Sequence, residues 1–158
     1  MWSIFCAHVA AGETYPFTTG TSREAGHAYW LGPEVASFVA TAGGRVLGMY
    51  RMVPNQVGRG HHVANASYMV SPPAQGAGVG RRLGEHSLSE ARRQGYLAMQ
   101  FNYVVSTNTA AIRLWKKLGF SIVGTLPKAY RHKRLGHVDA YVMYQLLQDP
   151  DHWPTVDA

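Results

Sequence analysis

The sequence predicts an α/β (α+β) domain, a mixed central sheet of about six strands flanked by about four helices. Two features of its 158 residues point there. Short β-rich runs bounded by Gly, Pro or Asn are interleaved with stretches whose apolar residues recur at helical spacing. A glycine-rich turn, "QGAGVG" at 75–80, also joins a strand directly to a helix. The length suits one hydrophobic core and is short for two, so residues 1–158 are expected to form a single domain with a frayed tail from about 149.

In chain order, "MWSIFCAHVAAGETYPF" places Trp2, Phe5, Cys6 and Val9 on a helical face before a stop at Gly12. A chain that opens inside a helix reads as clipped. Thr21, with Glu24 three residues on, predicts a capping box ahead of a second helix at 22–31, limited by Pro33. "VASFVATA" and "RVLGMYRMV" flank Gly43-Gly44, whose tolerance of positive φ predicts a tight hairpin. "HHVANASYMV" reads as a third strand, starting at His61-His62 and ended by Pro72-Pro73. Residues 79–94 predict a helix with Val79, Leu83, Leu88 and Ala91 on its apolar face and Gly95 as its stop. "LAMQFNYVV" is a strand, "NTAAIRLWKKLGF" a helix capped by Asn108 and ended at Gly119, and "SIVGTLP" and "HVDAYVMYQLL" are the last strands. Between those two strands, His132 falls in a basic loop.

Composition narrows the function classes. No apolar run approaches the ~20 residues of a membrane helix, so a soluble protein without a membrane partner is expected. Met1–Ala11 lacks a charged leader, which makes the cytoplasm the expected compartment. The single cysteine, Cys6, excludes an internal disulfide and reads as inert packing. The histidines form neither H-x-x-x-H nor H-E-x-x-H, so no metal site is expected. A formal charge of +6 favours anionic partners. The basic "YRHKRLGH" at 130–137 lacks the aromatic interleaving or motif of a nucleic-acid binder, so no nucleic acid is expected.

Backbone N–H groups at a helix N-terminus have no intrahelical partners and carry the positive end of the macrodipole. Glycines there let a phosphate approach the backbone. Gly80 is followed by Arg81-Arg82 rather than Lys-Ser/Thr, which excludes a P-loop. Gly76, Gly78 and Gly80 also miss the G-x-G-x-x-G spacing of a dinucleotide fold. What matches is Q-x-x-G-x-G, as Gln75, Gly76, Ala77, Gly78, Val79 and Gly80, followed downstream by "NTAAIRLWKKLGF". Over about residues 35 to 147 the chain resembles the GNAT superfamily of acyl-CoA-dependent N-acyltransferases.

The resemblance implies a GNAT-like fold, in which a strand ahead of the first helix has no counterpart here. It implies acetyl-CoA (CoA) as cofactor, with pantetheine entering a gap between two splayed strands. Met69 and Val70 would offer backbone groups to it, and the amides of Gln75, Gly76, Ala77, Gly78, Val79 and Gly80 would hold the pyrophosphate. Asn108, beside its capping role, would stand near the thioester. Arg81, together with Arg82, Lys116 and Lys117, would meet the adenosine phosphates. Family members are frequently dimers, so a homodimer is expected.

Many of these enzymes protonate the departing thiolate with a Tyr seven residues after the helix Asn, where this chain has Trp115. An indole N–H is not a usable acid, so Trp115 is expected to wall the cleft. Tyr103, Ser106 and Tyr130 are the replacement candidates, and solvent protonation is the alternative because a free thiol titrates near ~8.5. Asn65 and Asn102 fall in adjacent predicted core strands, where a buried amide needs a partner. They read either as a link between strands or as groups that hold substrate across the cleft. "GETYPF", "ANASYMVSP" and "QFNYVVSTN" further resemble the family branch that acetylates azetidine-2-carboxylate and similar imino acids. The expected activity is N-acetylation of a small-molecule amine, an amino or imino acid first. Acetylation of a polyamine, an antibiotic or a protein N-terminus, or acyl-CoA binding without catalysis, are the alternatives.

Overall fold

A computed structural model describes residues 1–153. Helix α1 (Trp2–Ala11) ends where Gly12 takes the left-handed conformation, and α2 (Arg23–Leu31) follows. Ser22 caps α2, accepting from the Ala25 amide, so the cap lies one residue beyond the expected Thr21. Strands β1 (Ala36–Ala42) and β2 (Arg45–Pro54) form the expected hairpin, with Gly43 at φ 53 and Gly44 at φ 70. Both turn residues need positive φ, the condition of a type I′ turn. A 3₁₀ turn at Gly58–Gly60 leaves His61 and His62 in a turn, and β3 starts later than expected, at Val63–Val70. A second 3₁₀ turn, Pro72–Ala74, leads into α3 (Val79–Arg93), β4 (Ala98–Val105) and α4 (Thr109–Lys117).

Strand β5 (Ser121–His132) runs beyond the expected stop at Pro127 and pairs with β6 (Gly136–Leu146). It passes Pro127 through an irregularity between Leu126 and Tyr130, where Lys128 takes φ 52 and donates its amide to Asp139 Oδ1. The expected basic loop is therefore mostly strand. His132 is buried, 6% exposed, and its Nδ1 accepts from the Arg134 and Leu135 amides that close the hairpin. In the expected frayed tail, residues 150–152 form a 3₁₀ turn and Trp153 packs edge-on to His62; residues 154–158 lie outside the described residues.

The strands form one mixed sheet ordered β1-β2-β3-β4-β6-β5, with β3 and β4 parallel and every other pair antiparallel. Alternation along each strand sends side chains to opposite faces. On one face Tyr50, Met52, Ala64, Ala66, Met99, Phe101 and Met143 pack against Leu83, Leu88 and Ala91 of α3 and Trp115 of α4. On the other, Met49 and Met69 pack beneath Ile4, Phe5 and Val9 of α1 and Trp30 of α2. Cys6, expected inside, is exposed on the outer side of α1. No helix among the described residues is long and apolar enough to cross a membrane.

Candidate active site

The parallel strands at the centre of the sheet are zipped together only at one end. Pairs run from Val63 opposite Ala98 to Asn65 opposite Gln100 and stop, although β3 continues to Val70 and β4 to Val105. Beyond Asn65 a gap opens. Its edge can be assigned from the other side of β3, because hydrogen-bonded pairs alternate in an antiparallel ladder. The Asn55 amide donates to Val63 O and the Ser71 amide to Leu47 O, so odd-numbered residues of β3 turn their amides toward β2. Tyr68 and Val70 therefore turn toward the gap, whereas Met69, opposite Met49, is committed to β2. The two gap-facing carbonyls are already used: Tyr15 donates its hydroxyl to Tyr68 O at 2.6 Å and His8 Nε2 donates to Val70 O at 2.8 Å. The N–H groups of Tyr68 and Val70 are what this edge has left to offer.

Side chains bridge the strands where backbone pairing fails. Trp115, 7% exposed, lies 4.6 Å from the Tyr68 ring and 4.8 Å from the Phe101 ring. It closes the gap on the α3/α4 face as a buried aromatic wall. Tyr68 also bonds to Ser87 Oγ on α3, and burial pushes its phenol far above the usual range.

At the open end of the gap, Gln75 to Gly80 turns into α3. Gly76 (φ 79) and Gly78 (φ 80) are left-handed, and a Cβ added to either meets nothing within 4 Å. The amides of Gly76, Gly78, Val79, Gly80 and Arg81 have no partner among the described residues, whereas those of Gln75 and Ala77 bond back to Pro72 and Ala74. This open cradle of donors fits the pyrophosphate of CoA. Gly80 differs from the other two: its Cβ would make ordinary contacts with Leu114 and Val70. Arg81 is exposed and paired with Glu85.

On the α1/α2 face, beyond the cover of those helices, an amide chain runs across the closed end of the gap, where pairing stops. Asn65 Nδ2 donates to Gln100 O at 3.0 Å, Gln100 Nε2 to Asn102 Oδ1 at 2.7 Å, and Asn102 Nδ2 to Asn55 Oδ1 at 2.7 Å. Asn65 is partly buried, as expected of a core strand, but Asn102 is exposed. Asn102 shares the uncovered face of Gln100, away from the core residues Met99 and Phe101, and it sits at a bulge where Asn102 and Tyr103 together face Val142, between the pairs Phe101–Met143 and Val104–Tyr141.

Ser106 ends β4 with its amide bonded to Asp139 O, and Asn108 caps α4 by accepting from the Ala111 amide at 3.3 Å. Asn108 also lines a cavity of about 170 Å³ with Glu13, Thr14, Thr107, Thr109, Ala110 and His132. The tyrosine acid candidates are committed elsewhere. Tyr103 donates to Ala129 O and Tyr130 to Tyr15 O, and burial raises the Tyr130 phenol, with Tyr103 and Glu13 adding to the shift.

The comparisons with known proteins agree with this geometry. The Acetyltransferase (GNAT) family matches residues 3–120. The chain belongs to that family. It is 30% identical to N-acetyltransferase aca1 of Schizosaccharomyces pombe across 94% of this chain and 77% of that protein. A GCN5-related N-acetyltransferase from Kribbella flavida superposes with TM-score 0.87 at 42% identity, covering 92% of this chain and 89% of that one. The yncA protein of Salmonella typhimurium, crystallised with its cofactor acetyl-CoA, gives TM-score 0.83 at 25% identity, covering 99% and 90%.

Within this GNAT fold, reading the sequence missed Asn55, Gln100, Glu13 and Arg51. Arg51 carried a signal: in "RVLGMYRMV" it alternates with Met49 and Val53, so a cation sits in the row that faces α1 and α2. Asn55 and Glu13 lie in connections, where periodicity says nothing.

Proposed function

We propose that this GNAT acetyltransferase moves an acetyl group from acetyl-CoA to the amine of a small amino or imino acid. The observation that carries the reading is the amide chain of Asn65, Gln100, Asn102 and Asn55 where the β3/β4 gap begins, on the face opposite α3 and α4. Neutral amides can orient an amine and a carboxylate without adding charge to either. The amides of Gly76, Gly78, Val79, Gly80 and Arg81 hold the pyrophosphate, and the free N–H groups of Tyr68 and Val70 line the gap where pantetheine enters.

Acetyl-CoA supplies a thioester carbonyl, whose C–S bond breaks as the new C–N bond forms. A gap-facing N–H of β3 is placed to stabilise the developing oxyanion. Asn65 and Asn102 hold the acceptor; one ammonium proton leaves before attack and the second nitrogen proton after the C–N bond forms, both through water held by these amides or by Ser106. Trp115 gives no proton. The thiolate takes its proton from solvent, with Asn108 at the α4 cap beside the reacting group.

A thiol-release assay with acetyl-CoA tests this across proline analogues, α-amino acids, polyamines and a lysine peptide. Fastest turnover with amino or imino acids supports the reading. Preference for polyamines or the peptide overturns the acceptor class, and acetyl-CoA binding without turnover of any amine makes the chain a binding module.

A further inference from the structure

Arg51 is a cation of the α1/α2 face that the chemistry above does not use. It stands in β2 opposite Ser67 of β3, in the same row as Met49, and its Nε is buried without a hydrogen-bond acceptor. Among the described residues no carboxylate lies within ion-pair distance of it. Its guanidinium lies 4.0 Å from the centre of the Tyr29 ring, and Tyr29 is tied to Ser67 by a 2.7 Å hydrogen bond between hydroxyls. The neighbouring groups are all neutral: Tyr29 from α2, Tyr15 from the following connection, and Ser67 and Asn65 from β3. A guanidinium held by an aromatic face, with its edge unpaired, has spare donors in the planar fork that matches a carboxylate. Arg51 is half-buried and its buried Nε has no acceptor, so an arriving carboxylate would gain a pre-oriented donor.

The position fits the reaction. Asn65 is the diagonal cross-strand neighbour of Arg51, about 7–8 Å away along the face, and it marks the point where the β3/β4 gap opens. An amino acid carries its carboxylate on the carbon that bears the amine, so one small molecule can reach both groups. Resting on the proposed amino or imino acid acceptor, we infer that Arg51, braced by Tyr29 and Ser67, is the carboxylate clamp that selects α-carboxylated amines over their uncharged counterparts.

The test compares azetidine-2-carboxylate and proline with their methyl esters, in the parent and in Arg51→Gln. In the parent, kcat/KM for each acid should exceed that of its ester by about a hundredfold, the scale of a lost charged, bidentate contact. Arg51→Gln should remove that preference by lowering the acid alone, with the ester rate and the KM for acetyl-CoA unchanged. Arg51→Lys, which keeps the charge without the fork, should fall between and serves if the Gln variant does not fold. If acid and ester decline in parallel, Arg51 only supports the fold and the clamp is wrong, while the acceptor class stands. If the parent turns over neither acid but acetylates polyamines or the peptide, clamp and acceptor class fall together.

Discussion

Gly78 combines two demands that no other residue type meets together: φ of 80 at the mouth of α3 and open space where a side chain would stand. Gly78→Glu should reduce acetyl-CoA affinity at least a hundredfold, because its carboxylate would occupy and repel the pyrophosphate position. Gly78→Asn tolerates the left-handed conformation and separates backbone strain from blockage. Calorimetric titration showing parental affinity for a folded Glu variant would remove the cofactor loop. Asn65 makes a different kind of claim, since its Nδ2 already bonds to Gln100 O while its Oδ1 has no partner among the described residues. Asn65→Ala or Asn102→Ala should cut kcat/KM for the acceptor about tenfold to a hundredfold and spare acetyl-CoA affinity, the range for a hydrogen bond to a charged group. Parental efficiency in both variants would free the amide chain from any role in acceptor binding. Glu90 concerns stability alone: hydrogen bonds from Arg93 and then Gln94 hold its carboxyl down from the usual 4.5 to about 2. A depressed carboxyl contributes stability above the unfolded value that is lost as pH falls toward the folded one. Melting curves of Glu90→Gln should therefore converge on the parent's between pH 4.5 and 2. A constant offset across that window would show that Glu90 is not linked to folding in this way.

Most elements were legible because their signals are local. The Gly43-Gly44 hairpin, the glycine turn ahead of α3 and the Asn108 cap each follow from a few adjacent residues. The bulge at Asn102–Tyr103 and the passage of β5 through Pro127 were not legible, because both are set by partner strands distant in sequence. The same holds for the site. The glycine turn proposed to hold the pyrophosphate could be read from one segment, whereas the assignment of Tyr68 rather than Met69 to the gap required the register with β2. Trp115 belongs to this scale, because its ring joins α4 to the two strands that do not pair. Trp115→Phe should cost about 1–3 kcal/mol of stability through the volume lost from a close-packed site. The pH dependence of turnover should stay unchanged, since indole yields no proton near neutrality. A thousandfold fall in kcat with unchanged substrate binding would instead give the indole a chemical role.

At the scale of the whole molecule, the sheet is divided at the candidate site. Two packed clusters lie on opposite faces, and at the centre β3 and β4 share only the pairs from Val63–Ala98 to Asn65–Gln100. A ligand that lies in the gap and also engages the N-terminus of α3 touches both sides of this division, and it can do so only in the folded chain. Its binding must then add to folding stability by mass action, about 2.7 kcal/mol at a hundred times its dissociation constant. For a chain of 158 residues, each kcal/mol moves the melting temperature by roughly 2–4 °C, so acetyl-CoA at that excess should raise it by about 5–10 °C. Gly78→Glu should melt within a few degrees of the parent without ligand and show almost no rise with it. CoA lacking the acetyl group should stabilise the parent nearly as well, because the proposed contact of the loop donors is with the pyrophosphate and not with the acyl carbon. Scanning calorimetry of both proteins with each ligand decides the matter. An equal rise in parent and variant would place the cofactor away from Gly76–Arg81, and no rise in the parent would leave the divided sheet without the ligand proposed to span it.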